Sequence, residues 1–152
     1  MRKIFLKSAV IMLALSSPVV FASGAVVVDY NQNVEVSQLL KTTQTTLGQP
    51  LSYLKTDSAE VTVLHVLIPP GKETGWHKHP VPGYGYVISG TLTMEMEGNK
   101  TVTFGSGSAI VETLNTLHNG KNLGVEPVEM VVFFTGEKGK PFSVKETGKS
   151  SD

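Results

Sequence analysis

The chain has 152 residues, 40% of them apolar and 17% charged, enough for one hydrophobic core and too few for two. Thirteen basic residues balance 13 acidic ones with no basic run, which removes the electrostatic case for nucleic acid or an anionic membrane as partner. Cysteine is absent, so disulfides, a lipidated N-terminal cysteine and thiolate metal sites are excluded, and any metal must be held by imidazole or carboxylate.

Residues 1–22 have the order of a secretory signal peptide. Arg2, Lys3 and Lys7 precede a mostly apolar run over residues 9–15, and Ser16, Ser17 and Pro18 lead into Val20-Phe21-Ala22. Cleavage is expected after Ala22; removing those residues takes away three basic side chains, leaves a weakly negative mature chain and implies a periplasmic or secreted location. A retained anchor would need about 20 uninterrupted apolar residues, and Ser16-Ser17-Pro18 interrupts this segment early. No membrane association is expected after cleavage.

Residues 23–50 read as an N-terminal arm that covers the domain, with Val36, Leu39 and Leu40 spaced for one short helical turn before a Thr-rich stretch over 41–46. The domain proper, residues 51–136, is a succession of short β-prone runs over 60–68, 74–79, 85–88, 91–97, 101–104, 108–112, 117–122 and 129–135, separated by Gly, Pro and Asn. No amphipathic stretch is long enough for a substantial helix, so the expected class is all-β, a sandwich or a barrel. In 91–97 the alternation puts Leu92, Met94 and Met96 on one face and Thr93, Glu95 and Glu97 towards water, and Gly98-Asn99 closes a hairpin. Met94, Met96, Phe104 and Phe133 are expected in the core and Asn122 at a turn. Residues 137–152 read as a tail anchored by Phe142 and Val144 alone.

The chemistry concentrates in the histidines, of which there are four. His77 and His79 are two apart, so on a strand both imidazoles leave the same face, the spacing that offers two nitrogens to one ion. Two solvated histidines beside a turn would have the same spacing. His118 lies in a separate run that must fold back beside them to complete a three-nitrogen site. His65 sits in an apolar strand and is read as a partly buried or exterior histidine rather than a ligand.

The context of these histidines resembles the cupin family. Gly71, five residues, His77-x-His79, three residues, Gly83, six residues and Gly90 follow the spacing of its first motif, and Gly107, five residues, Thr113, Asn115, His118 and Asn122 follow that of its second. The resemblance covers residues 51–135 and implies a double-stranded β-helix barrel of jelly-roll type with a divalent transition metal (Fe, Mn, Zn, Ni or Cu) on His77, His79 and His118. It also implies a small-molecule substrate or ligand, and a homodimer in keeping with other cupins. The family's glutamate ligand falls on Gly83 or Tyr84, so the carboxylate is missing; a glycine there is expected to leave room for substrate, and Gly83→Glu to tighten metal binding.

Two further side chains are candidates for a catalytic role. Glu112, six residues before His118, is the nearest replacement carboxylate, as ligand or proton-transfer group, its alternative being a solvated rim charge. A bulge at Pro82-Gly83 would turn Tyr84 inward to meet substrate; without it, Trp76, Tyr84 and Tyr86 pack on the outer face or under the arm. The expected function is that of an exported metalloenzyme with dioxygenase- or isomerase-like chemistry, and the alternative is a cupin that binds a small molecule without turning it over.

Overall fold

The computed structural model describes residues 34–148, so the segment read as a signal peptide, residues 1–22, lies outside the described residues. Residues 34–37 have no regular structure, and the rest of the described chain folds as one unit. The helical turn expected around Val36, Leu39 and Leu40 does not form: these residues lack regular structure, and Leu39 and Leu40 are exposed, so no packed face supports a helix that short.

Every regular element among the described residues is a strand. In chain order they are β1 (Ala59–Ile68), β2 (His77–Lys78), β3 (Gly83–Ser89), β4 (Thr91–Met96), β5 (Lys100–Gly105), β6 (Ala109–Val111), β7 (His118–Lys121), β8 (Val128–Glu137) and β9 (Val144–Lys145). They build two antiparallel sheets, one in the order β1-β8-β3-β6 and the other β5-β4-β7-β2-β9. This is the double-stranded β-helix architecture, with the core between the sheets.

Period-two patterning explains which face each strand buries. Along β8, Val128, Met130, Val132 and Phe134 point inward, and along β3 Gly83, Gly85 and Val87 do the same, because Gly83 pairs with Phe134, Gly85 with Val132 and Val87 with Met130. From the other sheet Leu92, Met94 and Met96 complete the core with Ile68 and Ile110. Each such burial contributes about 1.5–3 kcal/mol relative to exposure. Gly90, at φ 76°, turns β3 into β4 so closely that a side chain there would strike the Pro127 carbonyl.

Three expectations about faces change. Phe133 is exposed and its neighbour Phe134 is buried: two adjacent phenylalanines are indistinguishable in composition, and only pairing with β3 fixes which one turns inward. Thr93 is buried although it alternates with the inward residues of β4. Glu95 is half-buried, held by Lys121 at 2.8 Å. The hairpin at Gly98 and Asn99 forms as expected, with both residues at positive φ.

The last difference lies at the C-terminal end. Within residues 137–152, read as a tail, β9 pairs with β2, His77 facing Lys145 and Lys78 facing Val144. The return is anchored by Phe142, whose ring stacks on Phe134 with centroids 5.0 Å apart.

Candidate metal centre

Adjacent strands β2 and β7 of the five-stranded sheet bring the sequence-predicted ligands together. His77 lies in β2 directly opposite His118 in β7, and His79, just past the end of β2, bridges to Leu114. One nitrogen from each of His77, His79 and His118 lies within 4.8 Å of the others. His65 stands apart on the outer face of β1, exposed and paired with Glu129 at 2.8 Å, consistent with its reading as a non-ligand.

Each imidazole is oriented by a backbone carbonyl. His77 Nδ1 lies 2.7 Å from the Gly75 oxygen, His79 Nδ1 2.9 Å from that of Phe142 and His118 Nδ1 2.9 Å from that of Thr116. A carbonyl can only accept, so each Nδ1 carries the proton and each Nε2 is left with its lone pair free. The same carbonyl that fixes the tautomer also fixes the ring plane, the usual support for a histidine ligand. The Thr113 hydroxyl, fully buried, lies 3.2 Å from His118 Nδ1 as a second acceptor.

Burial keeps these rings neutral. Loss of hydration lowers the pKa of His79 to about 3 and that of His118 to about 4. It lowers that of His77 as well, in each case against the raising effect of the carbonyl contact. Three neutral imidazoles with converging lone pairs need no deprotonation to bind a cation.

The ligand loop is held from outside by the N-terminal arm. The Gln49 amide donates to the Leu114 carbonyl at 2.8 Å and accepts from the Leu114 N–H at 2.9 Å, and Thr46 bonds the Val111 carbonyl through both its N–H and its hydroxyl. The arm therefore covers this corner of the domain. Asn115 takes φ 52° and donates its N–H to the His79 carbonyl at 2.8 Å; asparagine tolerates this left-handed region better than most residues.

The histidines open onto a cavity of about 220 Å³ whose other walls include Leu64, Val66, Met94, Met130, Phe134 and Phe142. Glu112, one residue beyond β6, lines the same cavity, so it is not a rim charge: it is 7% exposed, and burial raises its pKa to about 7. Its Oε2 lies 3.8 Å from His118 Nε2 and has no hydrogen-bond partner among the described residues. The exposed Lys145 also borders the cavity.

Two expectations about the approach to the site are corrected. Gly83 leaves no gap for substrate: a Cβ there would lie 2.7 Å from Phe134 Cε1 and 2.9 Å from Glu112 Cγ, so the space is already filled. Nor does the main chain bulge at Pro82-Gly83; β3 pairs in continuous register with β8 from Gly83 to Val87, and the irregularity falls between Val87 and Ser89. Tyr84 consequently alternates with the inward glycines and lies outside the cavity lining.

Sequence reasoning missed Phe142, Ser143 and Lys145 in the cavity wall, as well as Gln49 behind the ligand loop. Phe142 supplies its role through a backbone carbonyl, which leaves no mark on residue identity. Lone phenylalanine and valine in a polar tail were the only signal for the C-terminal return.

The donor set fits a divalent first-row transition metal: imidazole suits zinc, copper, iron and nickel, and three such ligands leave positions open for water or substrate. A cupin-domain family model matches residues 64–134. No curated protein matches the chain. Among solved structures, a cupin-like protein from Thermotoga maritima is 21% identical over 57% of this chain and 64% of its own, with a TM-score of 0.52. A conserved protein with a double-stranded β-helix domain from Klebsiella pneumoniae is 24% identical over 60% of this chain and 76% of its own, with a TM-score of 0.47. The DMSP lyase DddQ from Ruegeria pomeroyi is 20% identical over 68% of this chain and 49% of its own, with a TM-score of 0.49. The two motifs in register and the two-sheet topology agree with the cupin-domain match, which makes residues 64–134 similar to a cupin domain of double-stranded β-helix fold.

Proposed function

We propose that the chain is an exported metalloenzyme acting on a small organic substrate by dioxygenase- or isomerase-like chemistry, with the metal held by Nε2 of His77, His79 and His118. The observation that carries this reading is the set of three neutral imidazoles, each fixed at Nδ1 by a carbonyl and turned towards an apolar cavity. A bound metal would supply a Lewis acid for a carbonyl or enolate oxygen, or a site for dioxygen. The chain's own part is to orient and confine. Leu64, Val66, Met94 and Met130 remove water from the reacting group, which strengthens every electrostatic interaction inside.

Size supports a small substrate. The cavity of about 220 Å³ falls below the roughly 300–1,000 Å³ usual for drug-sized ligands. Export rests on the residues of the leader, Arg2 to Ala22.

The test begins with the mature protein purified without chelator and its metal measured by elemental analysis. It continues with oxygen uptake and product formation on a panel of phenolic and keto-acid substrates. Near-stoichiometric metal with turnover is expected, and His118→Ala should lose most of the metal while keeping a folded barrel. Full loading in His118→Ala would overturn the site; stoichiometric metal without turnover across the panel would leave a cupin that only binds its ligand.

A further inference from the structure

We propose that Glu112 is the carboxylate arm of the metal centre, supplied from the end of β6 because the position on β3 that would otherwise carry it is Gly83. This rests on the three-histidine reading above.

The two positions are neighbours across the sheet. β6 pairs with β3, Tyr84 facing Val111, and the Glu112 N–H donates to the Gly83 carbonyl at 2.9 Å. Both residues turn inward, so a side chain from either enters the same space. They cannot both fill it. A Cβ on residue 83 would stand 2.9 Å from Glu112 Cγ, closer than real Cβ contacts come. Glycine at 83 therefore leaves this space to the Glu112 side chain.

One oxygen of the carboxylate is left without a protein partner among the described residues. Its Oε2 is fully buried with no hydrogen-bond partner among the described residues, a state that costs roughly 1–3 kcal/mol for a neutral polar group and more for a charged one. The cavity's lysine, Lys145, is exposed and forms no ion pair with it, since the contact recorded for Glu112 is His118 Nε2 at 3.8 Å. That nitrogen is the one whose lone pair faces the cavity. Two ligands of one ion, each about 2.0–2.2 Å from it, stand no more than about 4.4 Å apart; Glu112 meets that limit with His118 at 3.8 Å, whereas the mutually close group is His77, His79 and His118 alone, so Glu112 joins it by turning its side chain towards His77 and His79. A cation between them would satisfy the unpartnered Glu112 Oε2 and take up the His118 Nε2 lone pair.

The experiment uses Co(II) alone as probe, on the metal-free mature protein, with affinity read by chelator competition and coordination by the visible ligand-field spectrum. Glu112→Gln keeps the side chain's shape and adds no steric demand. It is expected to raise the dissociation constant for Co(II) by at least about 10–100-fold, the penalty typical of losing even an outer-shell partner. It should also change the ligand-field bands, a signature that a packing role would leave in place. If His118→Ala abolishes binding while Glu112→Gln keeps both wild-type affinity and wild-type spectrum, the histidine site stands and the carboxylate assignment is overturned. If His118→Ala binds Co(II) like wild type, the three-histidine reading fails first and takes this proposal with it.

Discussion

Gly83→Ala is the sharpest probe of how the site is packed, because two lines of physical reasoning give it opposite signs. Gly83 is absent from the positive-φ glycines, so alanine adopts the same backbone without strain. Were the space open, the substitution would stabilise the protein by about 0.4–1 kcal/mol through the lower entropy of its unfolded chain. The space is not open. The new methyl would lie 2.7 Å from Phe134 Cε1 and 2.9 Å from both Phe134 Cδ1 and Glu112 Cγ. Phe134 is held on both sides, by the His79 ring at 4.5 Å and by Phe142 at 5.0 Å, so it cannot swing away without disturbing a ligand. Overpacking of this kind costs about 1–3 kcal/mol, which at a urea slope of about 1–3 kcal/mol/M lowers the midpoint by roughly 1 M. Urea titration of the metal-free protein reads the shift directly. Adding Glu112→Ala removes the Cγ contact and should recover part of the loss, a coupling of about 0.5–3 kcal/mol between touching residues. A single mutant as stable as wild type, or more so, would refute the claim that Phe134 and Glu112 fill the place of the missing side chain.

Truncation after Gly139 should leave the two sheets assembled apart from β9 but remove the carbonyl that orients His79, and metal affinity is expected to fall about 10–100-fold. Wild-type affinity in chelator competition would show that the C-terminal return does not support the site. The metal-free protein should lose stability as pH falls from 7.5 to 5. Between about 3 and 6.5 the unfolded chain takes up a proton that folded His79 refuses, and between about 4 and 6.5 the same holds for His118. Glu112 acts in the opposite sense. Its folded pKa of about 7 against the ordinary value of 4.5 means that the folded state gains a proton the unfolded one has released, a contribution lost as pH rises through 7. Glu112→Gln should therefore steepen the decline in urea midpoint between pH 7.5 and 5, and a shallower decline would contradict the sign worked out here.

Much of the fold was legible because each β-prone run is bounded by residues that stop strands, and eight of the nine strands among the described residues fall on expected runs. The ninth, Val144–Lys145, lies in a polar stretch that carries no β-prone run of its own and is ordered only by pairing with β2. His77 and His79 were legible through the two-residue period, and His118 through the spacing of a second motif. Which of Phe133 and Phe134 faces inward was not, because parity along β8 is set by pairing with β3 rather than by the residues themselves. The meaning of Gly83 was likewise hidden: a glycine in sequence looks like empty space, and only coordinates reveal the Phe134 ring and the Glu112 chain within 3 Å of where its side chain would be. Glu112 could be singled out by its distance from His118 in sequence, whereas its burial depended on the cross-strand contact with Gly83.

The contact between His79 and the Phe142 carbonyl spans 63 positions of the chain, while His77 and His118 each find their acceptor two residues away. Two rings can thus be aimed as soon as their own turns form, but the third must wait for the far end of the polypeptide to arrive. The three-imidazole set is accordingly aimed as a whole only with Phe142 in place, and a chain cut before that residue would keep the acceptors of His77 and His118 but leave His79 without its own.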